Sequence, residues 1–259
     1  MQLLEGKHGI VTGASRGIGQ AISLSLAAAG ATVLACARDA RALEETVGLA
    51  SALPGRVVAQ VLDVRDEEAV QSAVALVDGQ FGGLNFIVNN AGICPTGSIT
   101  DLTEEMWADL EAVNVRGVLW GCKHAVKSLQ SRGQGGVIVN IGSTASVSGW
   151  GEAVGYCMSK HAVLGLTRAL AADRALSAAG VRTVCLCPGD IATPLAEEYF
   201  ASTGDAAAAR AELESLNPVG RLGRPEEVAE LVTFLCSGRA TLINGAAIMA
   251  DFGQHALLM

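Results

Sequence analysis

The stretch from His8 to Gly30 limits the fold more than any other. Residues His8 to Thr12 read as a short apolar strand. Gly13-Ala14-Ser15-Arg16-Gly17-Ile18-Gly19 then turns into an apolar helix that ends near Ala29 and Gly30. A strand, a glycine turn and a helix start in that order form an anion cradle, because glycines let backbone N–H groups approach a pyrophosphate and the helix dipole favours negative charge. Gly13, Ser15, Arg16, Gly17, Ile18 and Gly19 are therefore candidates for binding a nucleotide.

The remaining chain continues the same alternation. Strands are predicted at Thr32–Ala37, Arg56–Val61, Asn85–Asn89, Val137–Ile141, Val181–Leu186 and Ala246–Ala250. Helices are predicted over about Ala40–Ala52 and Glu67–Val77, from Thr103, over Val113–Ser131 and Val154–Ala179, and from Pro225. About seven strands alternating with as many helices imply one α/β domain spanning 1–259, a doubly wound parallel sheet of Rossmann type with helices on both faces. Hydrophobic residues at 50%, charged residues at 17% and 31 glycines suit strands buried on both faces. Between Asp190 and Asn217 an alanine-rich, charged insert carrying Tyr199 and Phe200 interrupts the pattern. Its position between a sheet edge and the next helix suits a substrate lid over about 190–217, or else a surface helical hairpin.

Charge and composition exclude several functions. A net charge of -8 leaves no broad basic face for nucleic-acid phosphates. Met1 to Lys7 lacks a secretory pattern, and the weakly polar run Ala21–Ala37 is broken by Gly30, so a cytoplasmic protein without a membrane span is expected. Seven cysteines include no C-x-x-C pair and no zinc-finger spacing, so neither a metal site nor structural disulfides are expected.

Two places speak to the identity of a nucleotide. The strand Thr32–Ala37 ends with Ala37 where folds selecting NAD usually carry an acidic residue, and Arg38 follows. Together with Arg16, Arg38 offers guanidinium groups to a 2'-phosphate, so NADP(H) is preferred, with NAD(H) possible. Both arginines can also be read as solvated surface groups, and Asp39 can pair with one of them. Asp63 and Val64 lie at the carboxyl edge of the sheet, where ligands sit. Asn90, Ala91 and Gly92 follow the strand Asn85–Asn89, and their amides suit either scaffold or binding.

Tyr156 and Lys160 are four residues apart on a predicted helix and so share one face. An ammonium beside a phenol favours the phenolate and equips the tyrosine for proton transfer. Ser143 lies just past a strand end at the same edge. Asn114 sits in an apolar helical stretch and needs a partner, which makes it at least a satisfied core amide.

These pieces, in order, resemble the short-chain dehydrogenase/reductase family, in particular 3-oxoacyl-carrier-protein reductases and related alcohol dehydrogenases. The matching motifs are T-G-x-x-x-G-x-G at Thr12–Gly19, N-N-A-G at Asn89–Gly92, Asn114 in N-V-x-G, Ser143, Y-x-x-x-K at Tyr156–Lys160, and Pro188-Gly189 with Thr193. The resemblance implies an NADP(H)-dependent enzyme acting on a carbonyl or secondary alcohol, with Tyr156 as general acid/base and Ser143 steadying the substrate oxygen. Lys160 would bind the nicotinamide ribose and lower the tyrosine pKa, and Asn114 would hold a relay water. Gly13 to Gly19 would take the pyrophosphate, Asp63 and Val64 the adenine, Asn90 the ribose region, and Ile191 with Thr193 the carboxamide. It also implies a homotetramer built on the helices Val113–Ser131 and Val154–Ala179 and on the last helix and strand. An NAD-dependent secondary alcohol dehydrogenase and a non-catalytic cofactor-binding module are the alternatives. Gly142 stands where a second serine is frequent, and Phe252 where relatives more often carry glycine.

Overall fold

In the computed structural model, which describes residues 2–257, the backbone follows the expected alternation. Among these residues the strands are β1 (His8–Thr12), β2 (Thr32–Ala37), β3 (Arg56–Val61), β4 (Phe86–Asn89), β5 (Gly136–Ile141), β6 (Val181–Pro188) and β7 (Ala247–Ala250). All pair in parallel in the order β3-β2-β1-β4-β5-β6-β7. The order reverses between β1 and β4, which opens a crevice at their carboxyl ends. Close strand contact there requires Gly9, because a Cβ at that position would run into the ring and carbonyl of Phe86 across the ladder.

The helices are α1 (Gly17–Ala28), α2 (Ala40–Leu49), α3 (Glu67–Gln80), α4 (Glu104–Leu110), α5 (Gly117–Arg132), α6 (Val154–Ala172), α7 (Arg174–Ala178), α8 (Pro194–Ser202), α9 (Ala206–Leu216), α10 (Pro225–Cys236) and α11 (Gln254–Leu257). On one face of the sheet α1 and α10 bury Ile22, Leu26, Val228 and Val232, and on the other α3, α5 and α6 bury Val74, Val77, Leu129 and Val163. Each such side chain contributes about 1.5–3 kcal/mol on burial. A small third cluster of Phe200, Ala209 and Leu222 lies under the insert, which folds as α8 and α9.

Two elements differ from the sequence reading, and the C-terminal turn carries a strained residue. The helix expected to run to Ala179 stops at Ala172, because Asp173 is extended (φ -72°, ψ 113°) and its carboxylate caps α7 by accepting from the amides of Ala175 and Leu176. The segment between α4 and α5 is a π-helical turn, Glu111–Arg116, continuous with both helices. The C-terminal turn holds Phe252 at φ 55°, a left-handed conformation that favours glycine, with the Arg221 guanidinium 4.8 Å from the centre of its ring.

A buried polar ladder ties the sheet to α6. The Asn89 amide donates to Asn140 Oδ1 (2.8 Å), the Asn140 amide donates to Thr167 Oγ1 (2.9 Å), and Thr167 donates to the Val163 carbonyl (2.8 Å). The helix bearing Tyr156 and Lys160 is thereby fixed in register against β5. Among the described residues no helix is long and apolar enough to cross a membrane.

Candidate functional site

At the carboxyl ends of the strands lies a cavity of about 1000 Å³. Its walls bring together the expected site residues other than Asn114. Gly13 to Gly19 (Ala14 excepted), Arg38, Asp63, Val64 and Asn90 to Gly92 line one half, and Ser143, Tyr156, Lys160, Pro188, Gly189, Ile191 and Thr193 line the centre. Asn114 is wholly buried behind them.

The glycine turn is built for close approach. Gly13 and Gly17 take positive φ (64° and 56°), and a Cβ on Gly19 would strike the Gly13 carbonyl and lie 2.5 Å from the Asn90 amide. Asn90 holds this turn by donating to the carbonyls of Thr12 (2.9 Å) and Gly13 (3.2 Å). Its side chain therefore takes the scaffold part of the two readings left open. Thr12 completes the brace, since its hydroxyl accepts from the amides of Asn90 (3.0 Å) and Ala91 (3.1 Å). The start of α1 has no side-chain cap, so its N–H groups are left to an external acceptor. The cradle thus fits a dinucleotide pyrophosphate.

Around the end of β2 the charges sort themselves locally. Asp39 caps α2 by accepting from Ala42 N (3.1 Å). Asp63 is bound by Arg65 (2.7 Å), whose hydrogen bonds hold its carboxyl below the usual carboxylate range. Arg16 is paired with Glu198 of α8 (2.8 Å), a contact between two exposed groups worth at most about 1 kcal/mol. Arg38 is exposed on the cavity rim.

The centre is more tightly held. Lys160, 5% exposed, donates from Nζ to the Ile141 carbonyl (2.8 Å) and lies 5.5 Å from the centre of the Tyr156 ring. Burial pushes the lysine pKa down. The expected depression of the Tyr156 pKa is not produced by the protein groups alone. Burial pushes the phenol up, with the Ser143 hydroxyl acting in the opposite direction. Asn114 accepts from Ile93 N (2.9 Å) and donates to the Ile93 carbonyl (2.9 Å) and Ser159 Oγ (3.0 Å), a fully satisfied amide. The π-helical turn presents that side chain inward, and such turns recur at functional sites. Ser143 begins a short 3₁₀ turn, its hydroxyl accepting from Ala145 N (3.2 Å). Gly142 before it is required here, because a Cβ would lie 2.7 Å and 3.0 Å from the thiols of Cys185 and Cys187.

The remaining walls are largely apolar. Cys94, Trp150, Leu195, Tyr199, Leu213, Leu216 and Leu222 also line the cavity, with Trp150 edge-on to Tyr199 at 5.6 Å. Burial pushes the Cys94 thiol up to about 12, so it is neutral at physiological pH and unsuited to act as a nucleophile. Gln254, from the last helix, also lines the cavity. The sequence reading missed Thr12 and Gln254. Thr12 opens the glycine motif and signals itself weakly, whereas nothing near Gln254 in the chain marks it.

A crevice at the reversal of a parallel sheet, with a glycine cradle at one end and a Ser, Tyr and Lys cluster at its centre, defines the class of dinucleotide-dependent oxidoreductases. Comparison with known proteins narrows this. A family model described as enoyl-(acyl carrier protein) reductase matches residues 13–255. The 3-oxoacyl-[acyl-carrier-protein] reductase of Thermotoga maritima is 34% identical over 250 residues, 96% of this chain and 98% of that protein. The L-fucose dehydrogenase of Mus musculus is 38% identical, covering 97% of this chain and 91% of the relative. The NADP-bound structure of a candidate 2-deoxy-D-gluconate 3-dehydrogenase from Agrobacterium tumefaciens superposes with a TM-score of 0.87 at 33% identity, covering 98% of each chain. The chain belongs to the short-chain dehydrogenase/reductase family, whose members bind nicotinamide cofactors, and it is an oxidoreductase of alcohols and carbonyls.

Proposed function

We propose that this enzyme is an NADP(H)-dependent carbonyl reductase or secondary alcohol dehydrogenase in which Tyr156 is the general acid/base. The observation that carries this is the meeting of Ser143, Tyr156 and Lys160 on the wall of the cavity that also contains the glycine cradle. The cofactor, when bound, supplies the hydride chemistry. The Tyr156 phenol gives its proton to the substrate oxygen during reduction and takes it back during oxidation. Ser143 donates to that same oxygen and steadies its developing charge. Lys160, held on the Ile141 carbonyl, contacts the nicotinamide ribose and completes the proton path, with Asn114 fixing the Ile93 backbone behind it. Gly13, Ser15, Gly17, Ile18 and Gly19 receive the pyrophosphate. Asp63 and Val64 border the adenine, and Pro188, Gly189, Ile191 and Thr193 border the nicotinamide.

Preference for NADP(H) rests on Arg38 at the rim, on Ala37 in the place of an acidic residue, and on the neutralisation of Asp63 by Arg65. The NADP bound to the Agrobacterium relative is consistent with it. One observation favours the alternative, an NAD-dependent dehydrogenase. Arg16, the second expected guanidinium, is engaged by Glu198. The insert over 190–217 acts as the lid, with Tyr199, Leu213 and Leu216 against the pocket. We further propose a cytoplasmic homotetramer. Leu119 on α5 and Met158 on α6 are exposed apolar side chains on the two helices assigned to the interface. Consumption of NADPH with a panel of neutral ketones tests the activity. Turnover with no member of a broad carbonyl and alcohol panel, despite saturable cofactor binding, would favour the non-catalytic module instead.

A further inference from the structure

The lid and the loop after Ser143 together give the cavity one wall. Its polar side chains include Ser148 and Asp190, and both are engaged: Ser148 donates to the Thr144 carbonyl (2.9 Å), and Asp190 accepts from the Gln254 amide (2.7 Å). Its apolar side chains are open. Leu195, near the start of the lid, and Leu216, near its end, both line the cavity yet are 38% and 42% exposed. Apolar surface left open inside a cavity favours a ligand that covers it with apolar surface of its own. A hydroxyl brought against such a wall gives up its water partners and finds few in exchange.

Two aromatic rings stand in the same wall. The Trp150 carbonyl accepts from Ala153 N (3.1 Å) and from the Cys157 thiol (3.7 Å), which ties that residue to the first turn of α6, the helix that carries Tyr156. Tyr199 comes from α8 and meets Trp150 with the ring centres 5.6 Å apart and the planes at 78°. Next to it, the Phe200 ring is 5.8 Å away and 1% exposed, packed with Ala209 and Leu222 in the small cluster under the insert. The aromatic pair is therefore anchored twice, on the helix of the proton donor and on the folded lid. Rings that are already held in place cost less to order around a ligand.

Charge in this wall disfavours an anion. Among the described residues the cations that line the cavity are Arg16, Arg38 and Lys160. Arg16 is paired with Glu198, Lys160 is held on the Ile141 carbonyl, and Arg38 follows β2, whose end is bonded to Ala14 of the glycine turn. The wall itself contributes Asp190, and Glu152 and Glu212 lie close enough to Tyr199 to join burial in pushing its phenol up. A phosphorylated substrate, or a thioester borne on an acidic carrier, would meet that negative field without a cation to offset it.

We propose that the substrate is a neutral ketone or secondary alcohol carried on an apolar ring system, alicyclic or aryl, and that Trp150 and Tyr199 are the residues that select it. The ring body packs into the corner between the two aromatic planes and against Leu195 and Leu216, with its oxygen toward Tyr156. Aromatic side chains contribute large contact areas in such edge-on and offset arrangements. A rigid ring also loses less internal freedom on binding than an open chain of equal area. Fused ring systems therefore rank above single rings, and both rank above polyhydroxylated ketones and anionic acyl thioesters.

This inference rests on the oxidoreductase reading above, and its test keeps the two separable. Reduction of 2-tetralone, cyclohexanone, L-erythrulose and acetoacetyl-CoA by NADPH is compared, and calorimetric binding of the two ring ketones to the NADP-loaded protein is measured in parallel. Each buried methylene contributes about four-fold, so the second ring of 2-tetralone is expected to favour it over cyclohexanone about ten-fold or more in kcat/KM and in Kd. L-Erythrulose and acetoacetyl-CoA are expected to fall about a hundred-fold or more below 2-tetralone in kcat/KM. Trp150→Leu and Tyr199→Leu should each bring the ratio of the ring ketones below about three-fold, chiefly through KM, with the Kd for NADPH within about two-fold of wild type. Tyr199→Phe keeps the ring and should keep the ratio. Equal handling of the two ring ketones by the wild type overturns the inference, as does faster turnover of L-erythrulose or acetoacetyl-CoA. So do ratios that survive both leucine variants, or a ratio lost in Tyr199→Phe, which would assign selection to the hydroxyl. Preferential binding of 2-tetralone without turnover would leave the inference standing and remove the proposed activity.

Discussion

Removal of the Arg38 guanidinium should separate the two nicotinamide cofactors. In Arg38→Ala the cavity rim loses the cation that follows Ala37, and the neighbouring charges do not replace it. Arg65 is already bound to Asp63 at 2.7 Å, and Arg16 to Glu198 at 2.8 Å. A hydrogen bond to a charged group contributes about 1.5–3 kcal/mol. Arg38 is exposed, so solvent screening favours the lower end, and a loss of about 1.5 kcal/mol corresponds to roughly ten-fold in affinity. The expected result is a Kd for NADPH weakened about ten-fold, with NADH changed less than about two-fold. Fluorescence titration of the reduced cofactors measures both, and the NADPH effect should shrink with added salt. Equal weakening of NADPH and NADH, or no change in either, would refute the assignment of Arg38 to the 2'-phosphate.

Other perturbations test the scaffold and the proton donor. Gly19→Ala drives a methyl group into the Gly13 carbonyl and the Asn90 amide, so nucleotide binding should be lost and the melting temperature lowered. Asn114→Ala leaves the Ile93 N–H and carbonyl without their side-chain partner and takes one donor from Ser159 Oγ, which keeps its bond to the Tyr156 carbonyl, and a destabilisation of about 2–4 kcal/mol is expected by urea unfolding. Because burial raises the Tyr156 pKa, the phenol keeps its proton through neutral pH. The rate of carbonyl reduction should then be flat there and fall only on the alkaline side, and a fall beginning near neutrality would contradict the direction of that shift.

The limits of what the chain discloses follow from the range of each interaction. β1, β2 and β3 end where the residues predict, because apolar runs there meet glycine or polar boundaries within one or two positions. The Tyr156 and Lys160 pair was legible for the same reason, being a local spacing on one helix. The π-helical turn around Asn114 was not, since the apolar periodicity of Val113–Ser131 looks the same whether or not one extra residue is accommodated. The break at Asp173 was signalled by a capping residue, but the leucine and alanine spacing masked it. The pairing of Arg16 with Glu198 and of Gln254 with Asp190 joins residues far apart in the chain, and only the folded sheet edge brings them together. Likewise the departure at Gly142 has its cause in Cys185 and Cys187 on the neighbouring strand.

The most direct measurement on the proton-transfer assignment is single-turnover reduction by Tyr156→Phe beside the wild type, with the NADPH Kd determined on the same samples. Loss of the phenolic oxygen alone should leave cofactor binding within about two-fold and lower the chemical step by about 10²–10⁴-fold, the range for a lost general acid. A phenylalanine variant that reduces ketone at the wild-type rate would show that the proton comes from elsewhere, and the chemistry placed on this cavity would have to be reassigned.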